Sequence, residues 1–353
     1  MRHTIFGESH GPAIGVTLEG VPAGLKLDLD FMQKELSRRA TGRNALSTAR
    51  KEADQVQVLS GLFEGKTTGT PLTLLIANGD QHSSDYEAIR YTPRPSHGDY
   101  AGFIQSHGHL DYRGGGHFSG RLTAPLVAAG AVAKQILAGQ GIWVGAHISS
   151  IYGISDAVLE DAEDLRAVAE KDFPVLDDEK GGEMQAAILE AKREGDSVGG
   201  SIECAVTGLP AGLGAPDFGY NAEGIFAQYL FAVPAVKGVE FGAGFSAALL
   251  KGSENNDEFY ISEDGGVKTR TNHHGGVLGG ISSGMPVIAR MAFKPTPSIG
   301  KPQKSIDYRK KEEAAMGVRG RHDPCVAVRA VPVAEAVAAV VITDMILEQE
   351  ESL

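Results

Sequence analysis

Cysteine is scarce. The 353 residues contain two, Cys204 and Cys325, with no CxxC spacing, so a disulfide framework is not expected and a reduced compartment is. Positive charge is in deficit too: 33 Lys and Arg face 45 Asp and Glu, a formal net charge of −12. General nucleic-acid binding needs a basic face, so nucleic acid is not an expected partner. Long uninterrupted apolar runs are missing as well. Lys134 breaks Leu122 to Leu137, and Glu335 and Asp344 break Val331 to Leu347, so neither suits a bilayer core. Met1-Arg2-His3-Thr4 has no signal-peptide character. These absences predict a protein with no membrane partner and a cytoplasmic location. No Pro/Ser/Gly linker or long charge run divides the chain, which predicts one domain over residues 1–353. Walker A, strand-linked GxGxxG and HExxH patterns are also lacking, which weakens nucleotide-hydrolase, dinucleotide and zinc-hydrolase readings. His107-x-His109 has metal-ligand spacing, but without supporting Cys pairs or carboxylate patterns no metal is expected.

Glycine is abundant instead. There are 46, about twice ordinary usage, spread through patterned sequence, which argues for many tight turns and ligand loops. Helical periodicity marks Asp30–Arg39, Leu122–Ala138, Ala157–Lys171, Glu183–Glu194, Ala222–Phe231 and Val333–Glu348. Strand-like runs are Ala13–Leu18, Gln55–Leu59, Leu72–Ile76, Val144–Ile151, Ser201–Val206 and Val287–Ala292. Strands with interspersed long helices predict an α+β layered fold. There is an internal echo: Glu19 to Leu25 (EGVPAGL) recurs as Thr207 to Leu213 (TGLPAGL). Val58-Leu59-Ser60-Gly61 before Gly69-Thr70-Pro71 is echoed by Val277-Leu278-Gly279-Gly280 before Gly284-Met285-Pro286. Two related halves, each supplying a sheet, would explain it; coincidence in a Gly/Pro-rich chain is the alternative.

Four clusters carry chemistry. The first, Phe6-Gly7-Glu8-Ser9-His10-Gly11-Pro12, presents a histidine on a tight loop ahead of a strand-like run. A functional histidine and a well-bonded turn histidine both fit. The second joins Arg94-Pro95-Ser96-His97-Gly98-Asp99-Tyr100 to Asp111 through Arg121. Its three successive glycines lead into a helix and could aim backbone N–H groups at an anion. Arg113, His117, Ser119 and Arg121 strengthen that reading over a ligand-free turn. The third is Arg319 through Cys325, a carboxylate flanked by cations, with a surface ion-pair turn as its plainer reading. Asn272 through Gly280 with Lys294 to Ser298 downstream is the fourth, either a ligand cradle or a set of turns.

In order along the chain, three of these stretches resemble the chorismate synthase family. They are Gly7-Glu8-Ser9-His10-Gly11, Gly115 through Arg121 (GGHFSGR), and Arg321 through Cys325 (RHDPC) with Val331 through Glu335 (VPVAE). Glu52 through Val56 (EADQV), Phe63 through Thr70 (FEGKTTGT), Arg94 through His97 and Ala235 through Glu240 (AVKGVE) add to the likeness, which covers nearly the whole chain. The resemblance implies a single-domain β-α-β sandwich and a homotetramer. It implies anti 1,4-elimination of phosphate from 5-enolpyruvylshikimate 3-phosphate to give chorismate. Reduced FMN is required without net redox change, and in the monofunctional type, which this chain's length matches, a separate NAD(P)H-dependent flavin reductase supplies it. A non-enzymatic binder of a phosphorylated metabolite or flavin is the rival, against which His10, His97 and Asp323 speak.

By motif position, His10 resembles the residue that protonates the departing phosphate and His97 the one that protonates the reduced flavin. Asp323 resembles the carboxylate that, with flavin N5, takes the substrate hydrogen, and Ser9 and Ser119 resemble proton-relay serines. Arg39, Arg121 and Arg321 resemble substrate-binding arginines. His117, Phe118, Ser119, Ala235, Gly279, Lys294, Pro295, Thr296, Pro297, Ser298 and Arg321 fall on flavin-contacting segments, with Asn255 beside them. The chain departs from the family where His117-Phe118-Ser119 replaces Arg-Ser-Ser, where Arg38-Arg39-Ala40-Thr41-Gly42 replaces Arg-Arg-Arg-Pro-Gly, and where Pro234 replaces an asparagine. Ala45 replaces an arginine for which Arg43 or Arg50 would stand in. The shortened start is expected to loosen a terminal strand.

Overall fold

The computed structural model describes residues 1–42, 46–47, 53–79, 86–87, 90–263, 265–318 and 323–351. Two antiparallel sheets enclose a layer of helices. In the first sheet the order is Arg2–Gly7, Ala13–Glu19, Leu72–Ala77, Val56–Ser60. Alternation sets its register: Ile14, Val16 and Leu18 sit opposite Ile76, Leu74 and Leu72, and all six are buried. A one-residue slip would turn every one of them outward. The Arg2–Gly7 strand, with little alternation of its own, pairs along all six residues from Arg2↔Glu19 to Gly7↔Ile14, so the terminal strand is not loosened.

The second sheet runs Val236–Phe241, Val287–Phe293, Gly200–Thr207, Trp143–Ile151, with Ile154–Ser155 at its edge. Ile148, Ile202 and Met291 form one buried cross-strand row. The neighbouring row, on the opposite face by the alternation of side chains, is His147, Glu203, Arg290 and Glu240, paired in that sequence.

Helices Thr123–Ala138 and Ala327–Glu351 lie between the sheets, the first against Ala13–Glu19 and Leu72–Ala77, the second against Trp143–Ile151 and Gly200–Thr207. They cross at Gly130, where an added Cβ would sit 2.3 Å from the Cβ of Ala336. Gly130→Ala is therefore expected to lower unfolding free energy by about 1–3 kcal/mol, the usual cost of overpacking, read as a lower urea midpoint. The C-terminal helix is long and apolar enough over Ala327–Gln349 to cross a membrane, but 89% of its apolar 18-residue window is buried inside the fold. It begins six residues before the expected Val333, because Pro332 is accommodated inside it. One interrupting charge from each apolar run meets the other here: Lys134 Nζ and Arg38 Nη1 each lie 2.6 Å from Glu335 Oε2, and Glu35 completes the cluster. Burial would raise the Glu335 carboxyl, but Lys134 and Arg38 hold it well below its ordinary value.

The helix expected over Ala157–Lys171 is reduced to a turn at Ala162–Asp164 and Leu165–Val168. Asp156 accepts from the backbone of Leu176 and Asp177 at 2.7 and 2.9 Å, and Asp161 caps Glu163 N at 2.9 Å, so the chain is anchored in a bend until residue 162.

The two halves are related. Taking the four main strands of each half in chain order, both sheets read first-second-fourth-third, with helices Leu29–Arg39 and Ala222–Ala232 after the second strand. Thr67 Oγ1 donates to Pro22 O at 2.6 Å and accepts from Leu25 N at 3.0 Å. Ser282 Oγ donates to Pro210 O at 2.6 Å and accepts from Leu213 N at 2.9 Å. The repeated Pro-Ala-Gly-Leu is thus a docking point for a hairpin. The second echo corrects in register: the hairpin at Val277–Leu278 corresponds to the one at Leu62–Phe63, not to Val58-Leu59, which lie in a main-sheet strand.

Candidate active site

Strand register brings three loops to one end of the first sheet. Gly7, Ile14, Ile76 and Val56 are successive cross-strand partners there. The His10 turn, Asn78 and Asp54 follow or precede those residues and so share that edge. Asn78 Nδ2 donates to Glu8 O at 3.0 Å and Gly11 O at 2.9 Å, pinning the His10 turn.

His10 is buried, and Ser9 Oγ lies 3.2 Å from both its Nδ1 and the carbonyl oxygen of Arg113. A carbonyl only accepts, so the hydroxyl proton goes to Arg113 and the hydroxyl oxygen accepts from His10 Nδ1–H. Nε2 is then the ring atom that gains or loses a proton. The Tyr86 ring stands edge-on to the imidazole, 5.2 Å between centroids.

Gly114, Gly115 and Gly116 have φ of 63°, 96° and 52°, a run that side chains would not sustain. Space demands glycine as well. A Cβ at Gly114 would lie 2.1 Å from His10 Nδ1, and one at Gly115 would lie 3.1 Å from His97 Cε1. The loop passes between the two histidines and touches both.

His97 Nδ1 lies 2.6 Å from Asp99 Oδ1. Arg94 grips that carboxylate from Nε at 2.8 Å and Nη2 at 2.7 Å, and its Nη1 donates to Ser298 Oγ at 3.1 Å. Burial pushes the His97 imidazole below its ordinary value, more than Asp99 raises it, and Arg94 adds to the lowering. Burial would raise Asp99, but hydrogen bonds from Arg94 and His97 hold it far below the usual carboxylate range. Lys294 Nζ donates to Ser96 O, and Lys294 N to Ala235 O at 2.9 Å, so the end of the Val287–Phe293 strand meets the His97 loop.

On the arginine side, Asp54 is enclosed. Its Oδ2 accepts from Arg39 Nη2 at 2.8 Å and its Oδ1 from Arg121 Nη1. Arg121 Nε donates to Asn78 Oδ1 at 3.0 Å. Arg39 is 1% exposed, and its Nη1 bonds Thr123 Oγ1 at 3.2 Å and Gly120 O at 3.3 Å. The Arg39 guanidinium is thus held by protein groups in this structure. Burial, with Arg329 nearby, pushes its guanidinium down to about 10. Arg329 pairs with Asp323 and donates from Nε to Arg39 O at 3.1 Å, which places Asp323 one residue from this network.

The remaining expected residues divide. Ser119 Oγ accepts from Arg121 N at 3.3 Å, a turn cap. His117 is exposed, with Nδ1 3.1 Å from Gly7 O, and the Phe118 ring covers Gly98 and Gly102. Lys294, Pro295, Thr296, Pro297 and Ser298 follow the Val287–Phe293 strand, and the buried Thr296 hydroxyl has no hydrogen-bond partner among the described residues. Gly279 and Asn255 lie at that strand's other end: Gly279 is in the hairpin before it, and Asn255 O accepts from His273, whose own carbonyl bonds Ala243 beside Ile288. Six residues of strand, about 20 Å, separate them from Lys294, so one chain does not bring them together. Arg43, Arg50 and Arg321 lie outside the described residues. Asp54, Asn78 and Arg329 were not anticipated as site residues. Asp54 had a signal, since it sits in the quoted Glu52–Val56 stretch just before a strand, whereas Asn78 and Arg329 matter only through register and helix docking.

A sequence model of one family, chorismate synthase, matches residues 1–347. Among curated proteins, the chorismate synthase of Pyrococcus abyssi is 49% identical over 348 residues, covering 98% of this chain and 96% of its own. That of Methanothermobacter thermautotrophicus is 47% identical over 347 residues, covering 97% and 91%. A crystal structure of chorismate synthase superposes with a TM-score of 0.78 at 31% identity, covering 99% of this chain and 92% of that one. With its sheet-end histidines, its fold and its full-length matches agreeing, the chain belongs to the chorismate synthase family.

Proposed function

We propose that His10, His97 and Asp323 handle the protons of the family's reaction, and that the glycine loop touching both histidines is the observation that carries this reading. The reaction itself, a carbon–oxygen lyase step, is anti 1,4-elimination of phosphate from 5-enolpyruvylshikimate 3-phosphate, giving chorismate. In this reading His10 Nε2 gives its proton to the leaving phosphate while Ser9 fixes the ring's tautomer. Asp323, oriented by Arg329, accepts the hydrogen lost from carbon as a proton. Arg121 supplies positive charge for the substrate's carboxylates and phosphate, backed by Arg39. Arg43, Arg50 and Arg321 are further candidates, and Ser119 caps the turn that presents Arg121.

Reduced FMN fits the residues present. The Thr296 hydroxyl, without a partner among the described residues, and the Lys294 ammonium are donors of the kind a flavin phosphate takes. Lys294, Pro295, Thr296, Pro297 and Ser298, with Ala235 and with His117, Phe118 and Ser119, would hold it. When bound, it would supply a one-electron loan that assists loss of phosphate and is returned as the unactivated C–H bond breaks, chemistry beyond any side chain. His97, neutral at rest, takes up a proton at Nε2 and passes it on. Asn255 and Gly279 would reach this pocket only from a neighbouring copy, in keeping with a homotetramer of single-domain protomers. A separate NAD(P)H-dependent reductase and a cytoplasmic location complete the proposal. Turnover is expected only with FMN plus a reductant such as dithionite, neither consumed in proportion to product. Full turnover in oxidised, flavin-free buffer would remove the flavin from the mechanism.

A further inference from the structure

Among the described residues, Asp54 is the most enclosed carboxylate near the site, with its side chain at 0% exposure. Each oxygen binds a different guanidinium, Arg39 at one and Arg121 at the other. The backbone there has φ 47°, a left-handed conformation that Asp and Asn tolerate better than other side chains. Beyond Arg121 the chain of bonds continues to Asn78 and from Asn78 to the His10 turn. Beyond Arg39 it continues to Arg329 and Asp323. One carboxylate thus stands midway between the two ends of the proposed proton chemistry.

A buried anion is a costly neighbour for a site that must attract a substrate with two carboxylates and a phosphate. Through-space charge alone would favour its absence. What the anion supplies is geometry: two guanidiniums side by side repel, and each could rotate away unless a shared acceptor fixes both planes. We infer that Asp54 is a positioning residue that, together with Asn78, fixes the Arg121 guanidinium, and Arg39 behind it, in the orientation that grips the substrate. This rests on the reading that Arg121 contacts the substrate.

Asp54→Asn is the test, since asparagine fits the same backbone and volume. It removes one negative charge, so simple electrostatics predicts a lower KM. Positioning predicts the opposite: KM for 5-enolpyruvylshikimate 3-phosphate rises about ten- to hundredfold, the worth of a lost hydrogen bond to a charged group. In the same assay, with reduced FMN under anaerobic conditions, kcat is expected to fall less than KM rises. Thermal unfolding of the variant establishes that it is folded. A folded Asp54→Asn protein with wild-type or lower KM overturns the inference. If that variant does not fold, Asn78→Ser takes its place, removing the acceptor of Arg121 Nε: a raised KM supports the inference and a wild-type KM overturns it. Arg121→Lys, run in parallel, separates the two ideas. A wild-type KM there sinks the substrate-contact reading itself, whereas a raised KM there beside a wild-type KM in Asp54→Asn sinks only the role of Asp54.

Discussion

Replacing His10 by alanine is expected to cut kcat by roughly 10²–10⁴, the usual worth of a positioned general acid, while substrate affinity falls far less. The leaving group is a phosphate, and His10 is the imidazole whose tautomer the structure fixes: Ser9 accepts from Nδ1, leaving Nε2 to exchange the proton. Its surroundings are built to hold it still. Gly114 leaves room for the ring where a methyl would lie 2.1 Å from Nδ1, and Asn78 ties down the turn on both sides. Steady-state kinetics with reduced FMN, alongside thermal unfolding to establish that the variant is folded, decides the matter. An unchanged kcat in folded His10→Ala would take that residue out of the proton chemistry.

Much of the architecture was legible because it follows from periodicity. Ile14, Val16 and Leu18 alternate with outward residues, as do Leu72, Leu74 and Ile76, so those strands announced themselves. Arg2–Gly7 and Val236–Phe241 did not. The first is an edge strand and the second carries Lys237 and Gly238, and both are strands because a neighbour supplies hydrogen bonds, which is information held elsewhere in the chain. The start of the C-terminal helix was blurred because the fold accommodates Pro332 inside it, where a proline is ordinarily unfavourable. The same division runs through the site. His10 and His97 stood out because glycine and serine around a histidine serve a core poorly. Asp54, Asn78 and Arg329 did not, because their importance is relational: three loops meet only once the first sheet's register is set, and Arg329 meets Asp323 and Arg39 only once the C-terminal helix is docked. Arg39, expected among the substrate-binding arginines, is buried at 1% exposure and bonded to Asp54 and Thr123, partners that only the folded chain brings to it.

His97→Ala is expected to cost a comparable 10²–10⁴ in kcat, and its pH dependence distinguishes it from His10. Burial, aided by Arg94, sets the His97 imidazole below the ordinary histidine value of 6.5 despite the carboxylate of Asp99 at 2.6 Å. At neutral pH the neutral ring is then the resting form. A group that donates a proton from its charged form is active below its pKa, so the part of the rate that depends on charged His97 declines as pH rises through that depressed value. Asp99 is the neighbour that raises the ring's affinity for a proton, and Asp99→Asn removes it. The prediction has a sign: in Asp99→Asn the declining limb of kcat moves to lower pH, and in His97→Ala it vanishes along with most of the rate. Profiles of kcat from about pH 5 to 8, at saturating substrate and constant ionic strength, carry the test, because kcat reports ionisations in the enzyme–substrate complex. A limb that stays in place in both variants would belong to another group. Wild-type turnover in His97→Ala would leave His97 and its Arg94–Asp99 support as a scaffold for the Lys294–Ser298 segment, which Arg94 already holds through Ser298.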